Sequence, residues 1–329
     1  MSNHKVGLIG MNFSSKVHIP SFLRVGGFDI TALCSKNPKN AEKIKNQFKL
    51  NCKIFNNPKE LIESKNIDVV DIVTPPSTHL SFVKESLRNK KNIICEKPFG
   101  LSYKDLRNID FTKSKKGYVN YLFRTENLLN NLKSKIKRCE LGEINRILIS
   151  WSFVSKNQSI WKKKINSGGN LIDDIFSHVL DYLFFLTDYK SIDIKKFDYH
   201  RQKDISFIQE EINGKIILDK KIDVSIEIKK NCNSKFLHKI SIFGETKNAV
   251  LSYYFPFTPK DKKMIIKKNN RVQNTIYENS KYNNCDDRII SFCNFLKEFK
   301  KKKPKNISDL ETAAFIRSQL DKFTDYVWK

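Results

Sequence analysis

Glu96-Lys97-Pro98 is the first stretch of the sequence whose residue types suit a chemical step. It follows the apolar run 92–95 and ends that run with two charges and a proline, a pattern that indicates the end of a strand. A lysine at the edge of a sheet can act as a catalytic acid or stabilise an alkoxide. Lys97 is therefore a candidate catalytic residue.

A second candidate set consists of Asp174, His178 and Asp181. The spacing i, i+4, i+7 predicts that the three side chains share one face of a helix, which would begin at Gly168-Gly169. A carboxylate one turn before a histidine can orient the imidazole and raise its basicity, as a general base near neutral pH requires. An Asp-x-x-x-His pair on a helix is also common as a structural pair, and the residues alone leave both interpretations open.

The elements before Lys97 predict where it lies. An apolar strand within 68–76, a helix at 81–89 and a second strand at 91–95 form a βαβ unit. Ligands of open parallel sheets bind outside the carboxyl ends of the strands, so the residues that end both strands are candidate ligand contacts. They are Thr74, Pro75, Pro76, Glu96 and Lys97.

The chain begins with a predicted buried strand at 5–9, followed by a turn at 10–15 into a helix at 17–25. Phosphates bind at such helix starts, where free backbone N–H groups and the helix dipole point outward. Gly10 stands at the first glycine of the dinucleotide fingerprint G-x-G-x-x-G. Asn12 and Ser15 replace its second and third glycines, so the motif alone is weak. The candidate contacts to a dinucleotide phosphate are Gly10, Asn12, Phe13 and Ser14.

Ser35-Lys36 follows a second predicted strand at 28–34, about where a dinucleotide-binding fold places the residue that contacts the adenosine ribose. An acid there would accept hydrogen bonds from the 2′-hydroxyl, whereas a serine followed by a lysine supplies donors and a positive charge that suit a 2′-phosphate. The pair favours NADP over NAD. An ordinary turn leading into a helix at 41–48 explains the same residues, and both interpretations can hold together.

The pattern of the chain changes near Arg124. A predicted helix at 106–113 and a strand at 118–123 precede this point, and a helix followed by long strands comes after it. Several of these strands alternate apolar and polar residues, which is typical of antiparallel strands with one solvated face. Asn213-Gly214 is predicted to be a hairpin turn between two of them.

Length and composition predict an α/β protein of two domains without a membrane span. At 329 residues the chain can bury a sizeable core. We expect a doubly wound parallel Rossmann sheet in a dinucleotide-binding domain at 1–123, and a substrate-binding and oligomerisation α/β domain with a mostly antiparallel open sheet at 124–329, whose C-terminal helix can pack back on the first domain. No run reaches the roughly 18 apolar residues of a membrane span, and the start of the chain leaves no room for a signal peptide.

The cysteines and the charge bound the function further. The seven cysteines are scattered and never spaced Cys-x-x-Cys, which predicts free thiols in a reducing cytoplasm and no metal site. The formal net charge of +26 invites a nucleic-acid interpretation, but the lysines are spread throughout the chain. The two densest runs, 262–268 and 297–305, are predicted to be loops or a helix end. This distribution disfavours nucleic acid and fits a general attraction for nucleotides, phosphates or carboxylates.

Four stretches together resemble the glucose-fructose oxidoreductase, inositol dehydrogenase and MocA (GFO/IDH/MocA) family of dehydrogenases. They are Val6–Gly10 with His18-Ile-Pro20, Asp68–Pro76 with His79, Cys95–Pro98, and Gly168-Gly169 with Asp174, His178 and Asp181. The resemblance implies an N-terminal Rossmann domain and an α/β domain whose open sheet often serves as an oligomer interface. It also implies reversible hydride transfer between a nicotinamide and a carbinol carbon of a sugar, cyclitol or nucleotide-linked sugar.

The resemblance implies roles for single residues as well. Lys97 matches the lysine that contacts the substrate and the nicotinamide ribose, and the peptide bond after it is often cis in the family. His178 matches the general acid/base, and Asp174 matches the acid that binds the substrate or steers the histidine. We interpret His18 and His79 as residues of helix starts near the cofactor.

The predicted substrate contacts have plain alternatives. Tyr121 and Arg124 match positions that line the cleft in relatives, but packing at a strand end explains them equally well. Trp161 and the run Lys162–Lys164 can contact a sugar face and a phosphate or carboxylate, with a solvated loop as the alternative. Phe176 replaces a frequent glycine before the histidine, which predicts a more apolar substrate pocket.

Two functions from different classes explain these observations. The first is an NADP-preferring cytoplasmic oxidoreductase, a dimer or tetramer, acting on a sugar-like hydroxyl or ketone. The second is a cofactor-binding regulatory or interaction protein without turnover, and a redox-assisted glycosidase with bound NAD is a third option within the family. A protein of this fold that has lost its turnover has no physical reason to keep Lys97, Asp174 and His178 together at the family's positions. The enzyme is therefore the favoured function.

Overall fold

The structure is a computed structural model that describes residues 3–155, 160–203, 207–232, 236–253, 262–278 and 285–328. The chain divides into two compact units. The first unit comprises Met1–Thr125, Asn166–Gly168 and Arg288–Ser318, and the second comprises Glu126–Ile165, Gly169–Asp287 and Gln319–Lys329. The first change of unit lies close to the predicted boundary after residue 123. Residues 288–318, which the prediction assigns to the second domain, belong to the first unit, and the division into functional domains stays a prediction.

The described residues form fifteen strands and eight α-helices. The strands are β1 (His4–Ile9), β2 (Phe28–Cys34), β3 (Lys53–Phe55), β4 (Val69–Ile72), β5 (Asn92–Glu96), β6 (Gly117–Asn120), β7 (Ile144–Phe153), β8 (Ile192–Lys203), β9 (Ile208–Leu218), β10 (Ile222–Lys230), β11 (Leu237–Gly244), β12 (Asn248–Tyr253), β13 (Lys263–Lys268), β14 (Arg271–Tyr277) and β15 (Ser308–Asp309). The α-helices are α1 (Ile19–Val25), α2 (Pro38–Gln47), α3 (Pro58–Glu63), α4 (Pro76–Arg88), α5 (Asn127–Lys137), α6 (Ser177–Thr187), α7 (Asp287–Phe299) and α8 (Leu310–Val327).

The first unit is built on a seven-stranded sheet in the order β15-β6-β5-β4-β1-β2-β3. Neighbouring strands are parallel except for β15, which pairs antiparallel with β6. The order of the strands reverses between β1 and β4, and open α/β sheets bind their ligands outside the carboxyl ends of the strands at such a switch point. This sheet confirms the predicted Rossmann architecture.

Aromatic side chains fill the core beside β1 and β2 of the first unit. The ring centroid of Phe22 on α1 lies 5.2 Å from that of Phe28 on β2 and 5.7 Å from that of Phe292 on α7, and the three rings are buried. Burying a large apolar side chain contributes roughly 1.5–3 kcal/mol. Helix α7, although distant in sequence, therefore completes this layer of the first unit.

The second unit contains an eight-stranded sheet in the order β14-β13-β12-β11-β7-β10-β9-β8. Its neighbouring strands are antiparallel except for β7 with β10. Strand β10 alternates buried and more exposed positions along its whole length, as a strand with one covered face does. The predicted mostly antiparallel open sheet is confirmed.

The predicted helix at 106–113 is wrong. The segment contains one single 3₁₀ turn, Phe111–Lys113, and another, Tyr103–Asp105, precedes it, with irregular chain between the two. The Asp110 carboxylate accepts hydrogen bonds from the backbone N–H of Thr112 at 3.0 Å and from its hydroxyl at 2.5 Å. Such a local side-chain contact begins a new turn instead of continuing a helix.

The predicted hairpin turn at Asn213-Gly214 is also wrong. Both residues lie inside the continuous strand β9, where a side chain at Gly214 would approach the ring of Phe197 to 3.1 Å. The chain reverses instead at Asp219 and Lys220, whose φ angles of 47° and 59° suit a tight hairpin between β9 and β10. In sequence, a glycine that makes room for a neighbouring ring cannot be distinguished from a glycine that a turn requires.

Two further predictions concern strands of the second unit. The lysine run 262–268 is not a loop, because 263–268 form β13 with Met264 and Ile266 buried. No strand was predicted at the position of β8. The sequence pattern also predicts strands at 205–211 and 249–254, of which positions 205–206 and 254 lie outside the described residues. In the described part of the chain, no helix combines the length and the apolar character needed to cross a membrane.

Candidate active site

The turn after β1 is shaped by Gly10. Its φ is 99°, and a Cβ on it would lie 2.3 Å from the carbonyl oxygen of Val73, so only glycine fits. Its N–H donates to the carbonyl of Cys34 at 3.0 Å, and its carbonyl accepts from the hydroxyl of Ser14 at 2.5 Å. Because Cys34 ends β2 and Val73 follows β4, these contacts place the turn between the carboxyl ends of the two strands.

The other residues of this turn are helical. Asn12 and Phe13 continue into a π-helical turn at Ser14–His18, and the hydroxyl of Ser15 donates to the carbonyl of Asn12 at 3.0 Å. The second fingerprint position therefore has no need of the left-handed backbone that favours glycine. The predicted phosphate contacts lie together at a helix start, and their part in binding stays a prediction.

Ser35 and Lys36 lie at the carboxyl end of β2, on the next strand from the Gly10 turn. The Ser35 hydroxyl accepts a hydrogen bond from the N–H of Asn37 at 3.2 Å, and the Lys36 side chain is exposed. The turn interpretation fits these contacts. A hydroxyl that accepts from Asn37 still carries a hydrogen to donate, so the predicted contact to a 2′-phosphate stays open.

His79 fastens the ends of β4 and β5 to α4. Its Nε2 lies 2.7 Å from the carbonyl oxygen of Thr74, and its Nδ1 lies 3.0 Å from that of Pro98. The ring is fully buried, and burial lowers the pKa of His79. The predicted ligand contacts Thr74, Pro75 and Pro76 thus lie on a loop tied to the one that follows Lys97.

A buried charge network joins the first helix to β4 and β5. Nδ1 of His18 lies 2.8 Å from the carboxylate of Asp71, and its Nε2 lies 3.0 Å from the carboxylate of Glu96. The amide of Asn120 donates to the same oxygen of Glu96 at 2.6 Å, and the ring of Phe292 lies 3.9 Å from the imidazole. Because His18 was interpreted only as a residue of a helix start, sequence reasoning missed this network; an aspartate inside the apolar strand β4 was its signal.

The network holds a charged imidazole. Burial by itself lowers the pKa of His18, but the charge of Asp71 and the hydrogen bonds to Asp71 and Glu96 raise it to about 9. Burial raises the pKa of Asp71, whereas the hydrogen bonds from His18 and Asn120 outweigh burial and lower the pKa of Glu96. At neutral pH, His18 is therefore an imidazolium between two carboxyl groups.

Lys97 follows this anchored glutamate directly. The peptide bond between Lys97 and Pro98 is cis, as the resemblance implies, and the lysine is partly buried at the carboxyl end of β5. Tyr121 and Arg124 follow β6 and are almost fully buried, which fits the packing interpretation. The first unit thus brings the Gly10 turn, the ends of β4 and β5, and Lys97 to one edge of its sheet.

In the second unit, the helix that carries Asp174 and His178 begins at a crowded glycine. A Cβ on Gly169 would lie 2.4 Å from the carbonyl oxygen of Trp161. The side chain of Asn170 then accepts from the N–H of Asp173 at 2.9 Å and caps the helix start. A π-helical turn at Ile172–Phe176 leads into α6.

The side chains on this helix differ in surroundings. The carboxylate of Asp174 pairs with the ammonium of Lys162 at 2.7 Å, a partner that sequence reasoning did not assign to it. His178 is buried, with its ring 6.2 Å from that of Trp151, and Asp181 is buried as well. Phe176 is fully buried against Phe197 and Phe323, so its contacts are those of a core residue.

Trp161 and Lys162 lie on a short 3₁₀ helix, Ile160–Lys163, before the glycine pair. The ammonium of Lys162 lies 5.4 Å from the Trp161 ring and points to Asp174. Lys163 and Lys164 are exposed. An aromatic face, an ammonium and a carboxylate are therefore adjacent here, which is a suitable set for a polar ring-shaped ligand.

Comparisons with known proteins agree with this architecture. Residues 4–122 match the model of the GFO/IDH/MocA oxidoreductase family, described as having an NAD-binding Rossmann fold. The chain is 25% identical over 191 residues to glucose-6-phosphate 3-dehydrogenase of Bacillus subtilis, a match that covers 55% of this chain and 53% of that protein. The chain spans about half the length of the curated relatives it matches.

Solved structures match over nearly the full length. KijD10, a 3-ketoreductase from Actinomadura kijaniata in complex with NADP and TDP-benzene, has a TM-score of 0.80 at 15% identity, covering 97% of this chain and 96% of that one. The transcriptional regulator Gal80p of Kluyveromyces lactis has a TM-score of 0.79 at 17% identity, covering 99% and 93%. At these identities the structures show the fold alone. Over residues 4–122, the family match confirms the resemblance and the predicted class of dinucleotide cofactor.

Proposed function

We propose that this chain, whose N-terminal Rossmann domain is of the GFO/IDH/MocA oxidoreductase type, transfers hydride between NADP and a hydroxyl or keto carbon of a sugar-like substrate. The observation that carries the proposal is the position of Lys97. It follows a strand end anchored by a buried imidazolium, at the same edge of the sheet as the Gly10 turn. An anchored lysine at a ligand-binding edge suits catalysis better than a surface role.

The residues of the first unit fit a dinucleotide. The Gly10 turn leaves no room for a side chain and leads straight into a helix, so its backbone N–H groups would hold the pyrophosphate. Ser35 and Lys36 would hold the 2′-phosphate of NADP. The bound dinucleotide supplies or accepts the hydride.

The other steps belong to the side chains. Lys97 donates a hydrogen bond to the substrate oxygen and stabilises the developing alkoxide. His178 removes the hydroxyl proton in oxidation and returns it in reduction, and Asp174 binds the substrate or steers the imidazole. Trp161 would cover one face of a sugar ring, and Tyr121 and Arg124 would pack at the end of β6.

The test of catalysis is substitution of the two proposed catalytic groups. Sugars, sugar phosphates and nucleotide sugars would be screened for turnover by NADPH absorbance. Lys97→Ala and His178→Ala should each lower kcat/KM by roughly two orders of magnitude or more, while the melting temperature changes little. Near-normal turnover in either variant would contradict the assigned role.

The cofactor preference has its own test. Ser35→Asp places a carboxylate where we expect a 2′-phosphate, and it should shift the ratio of NADPH to NADH affinity toward NADH. Lys39→Met, on the exposed first turn of α2, is the control for a general loss of positive charge. An unchanged ratio in Ser35→Asp would refute the 2′-phosphate contact.

A regulatory function without turnover is the second candidate, because the transcriptional regulator Gal80p shares this fold. Tight NADPH binding without turnover of any substrate in the screen would favour it. Light scattering would test the proposed homo-oligomer, which is expected to be a dimer or tetramer.

A further inference from the structure

Glu210 is a buried carboxylate on β9 in the second unit. Its Oε1 accepts from the hydroxyl of Tyr199 at 2.7 Å, from Nη1 of Arg201 at 3.1 Å and from the backbone N–H of Leu171 at 2.9 Å. Its Oε2 accepts from the ammonium of Lys230 at 2.5 Å. Both oxygens are therefore engaged, with two cations next to one anion.

The contact with Leu171 links this group to the candidate site. Leu171 lies in the first turn of the helix that carries Asp174 and His178, where backbone N–H groups have no partner within the helix. A carboxylate is the most effective acceptor at this end, because the helix dipole also favours negative charge there. Glu210 thus ties the start of that helix to the sheet.

Arg201 makes a second link from the same cluster. Its Nη1 also donates to the carbonyl of Gly169 at 3.0 Å, and its Nη2 donates to the carbonyl of Lys163 at 3.2 Å. The planar guanidinium is suited to this, since its donors diverge in a fixed fork. Arg201 therefore holds the segment Ile160–Ile165, on which Trp161 and Lys162 lie.

Asp174 is thus constrained from two sides. Its helix is held by Glu210, and its ion-pair partner Lys162 lies on the segment held by Arg201. Buried ion pairs offset only part of their desolvation cost and are weak evidence for stability, whereas fixing one geometry is their best-attested use. Neither side chain needs to touch a substrate for this effect.

We propose that Glu210 and Arg201 are positioning residues that set the geometry of Asp174 and His178 and hold the Ile160–Ile165 segment in place. The kinetic consequence rests on the proposed function. The structural consequence does not, so the two can be tested separately.

The structural arm uses trypsin on the full chain, because the peptide bonds after Lys162, Lys163 and Lys164 lie in the held segment. The carbonyl of Lys163, which trypsin must attack, is the one that accepts from Arg201. Glu210→Gln and Arg201→Lys should be cut at these bonds about tenfold faster, as mapped by mass spectrometry. Glu211→Gln, on the next residue of β9 and half exposed, should be cut like the parent.

Arg201→Lys distinguishes a loss of positioning from general misfolding. It keeps the positive charge beside Glu210 and loses only the forked set of guanidinium donors. We expect its melting temperature to stay near that of the parent and its NADPH affinity to change less than about twofold. Cleavage that is unchanged in both variants, or increased equally at sites throughout the chain, would overturn the proposal.

The kinetic arm applies once a substrate is found. Arg201→Lys should lower kcat about tenfold and shift the pH at which kcat/KM is half-maximal, with a smaller change in KM, because misplaced catalytic groups act on the chemical step. A chain without any turnover would refute the proposed enzyme and leave the trypsin result to decide the positioning role. A normal kcat and pH profile together with fast cleavage would overturn the effect on Asp174 and His178.

Discussion

The two units anchor their candidate catalytic residues with buried charge clusters of opposite design. In the first unit one cation, His18, lies between the carboxyl groups of Asp71 and Glu96. In the second, one anion, Glu210, lies between Arg201 and Lys230. The first cluster joins β4 and β5 to the start of α1. The second joins β9 to the start of the helix that carries Asp174 and His178.

The clusters differ in what can discharge them. An imidazole titrates in the range where proteins work, whereas an arginine stays charged. They also differ in completeness: among the described residues, one carboxylate oxygen of Asp71 and the amide oxygen of Asn120 have no hydrogen-bond partner, while both oxygens of Glu210 do. We therefore expect the first cluster to be the pH-dependent one.

The largest effect should come from removing the shared cation. His18→Leu leaves two carboxyl groups buried without their partner, and breaking a buried pair in this way costs about 3–5 kcal/mol of unfolding free energy. Urea denaturation measures the difference. His200→Leu, at an exposed position on β8, is the control and should change stability by less than about 0.5 kcal/mol. A loss for His18→Leu no larger than for the control would mean that the network contributes no stability.

The next effect is the pH dependence of the same network. The pKa of His18 is raised from 6.5 to about 9 by folding, so its stabilisation is complete below pH 6.5 and is lost as pH rises through 9. A shift of this size corresponds to about 3 kcal/mol. The pKa of Glu126 is also raised, to about 7, chiefly by burial. Because His18→Gln keeps Glu126, the difference between the unfolding free energies of the two proteins from pH 6 to 10 isolates the network of His18, Asp71 and Glu96. A difference that does not change with pH would contradict the charged imidazole.

Much of the fold was predictable because its elements are periodic. The strands β1, β2, β4 and β5 are short apolar runs bounded by turn residues, and their ends were placed within a few residues. The hairpin at Asn213-Gly214 failed because turn propensity is local, whereas the ring of Phe197 that needs the missing side chain belongs to β8, a strand absent from the prediction.

The candidate site was predictable only where one segment carries it. Lys97, and the pair Asp174 and His178, each lie in a single stretch, so spacing could identify them as candidates, and their catalytic roles stay predictions. His18 and Asp71 are 53 positions apart and meet only because β1 and β4 are neighbours. Glu210 and Leu171 are 39 positions apart, and a buried acid in an alternating strand looks like a solvated one. Contacts of this kind require the sheet order, which a sequence pattern does not contain.

The smallest effect on stability should come from the third ion pair, that of Lys162 with Asp174. It is only partly buried, so Lys162→Met should change the unfolding free energy by less than about 1 kcal/mol, unlike the two buried clusters. Its kinetic effect should depend on the substrate. With a phosphorylated or carboxylated sugar, KM should rise several-fold because an anion contact is lost. With a neutral sugar, KM should fall because Asp174 no longer has to exchange one partner for another.

Lys163→Met separates this effect from a general loss of charge. Its side chain is exposed, and the contact that its backbone carbonyl makes with Arg201 does not depend on the side chain. Steady-state kinetics of both variants on a neutral sugar and its phosphate would show whether KM moves in opposite directions. If the two variants behave alike, Lys162 acts only through the net charge of its segment. The Lys162–Asp174 pair would then differ from the two buried clusters in burial alone.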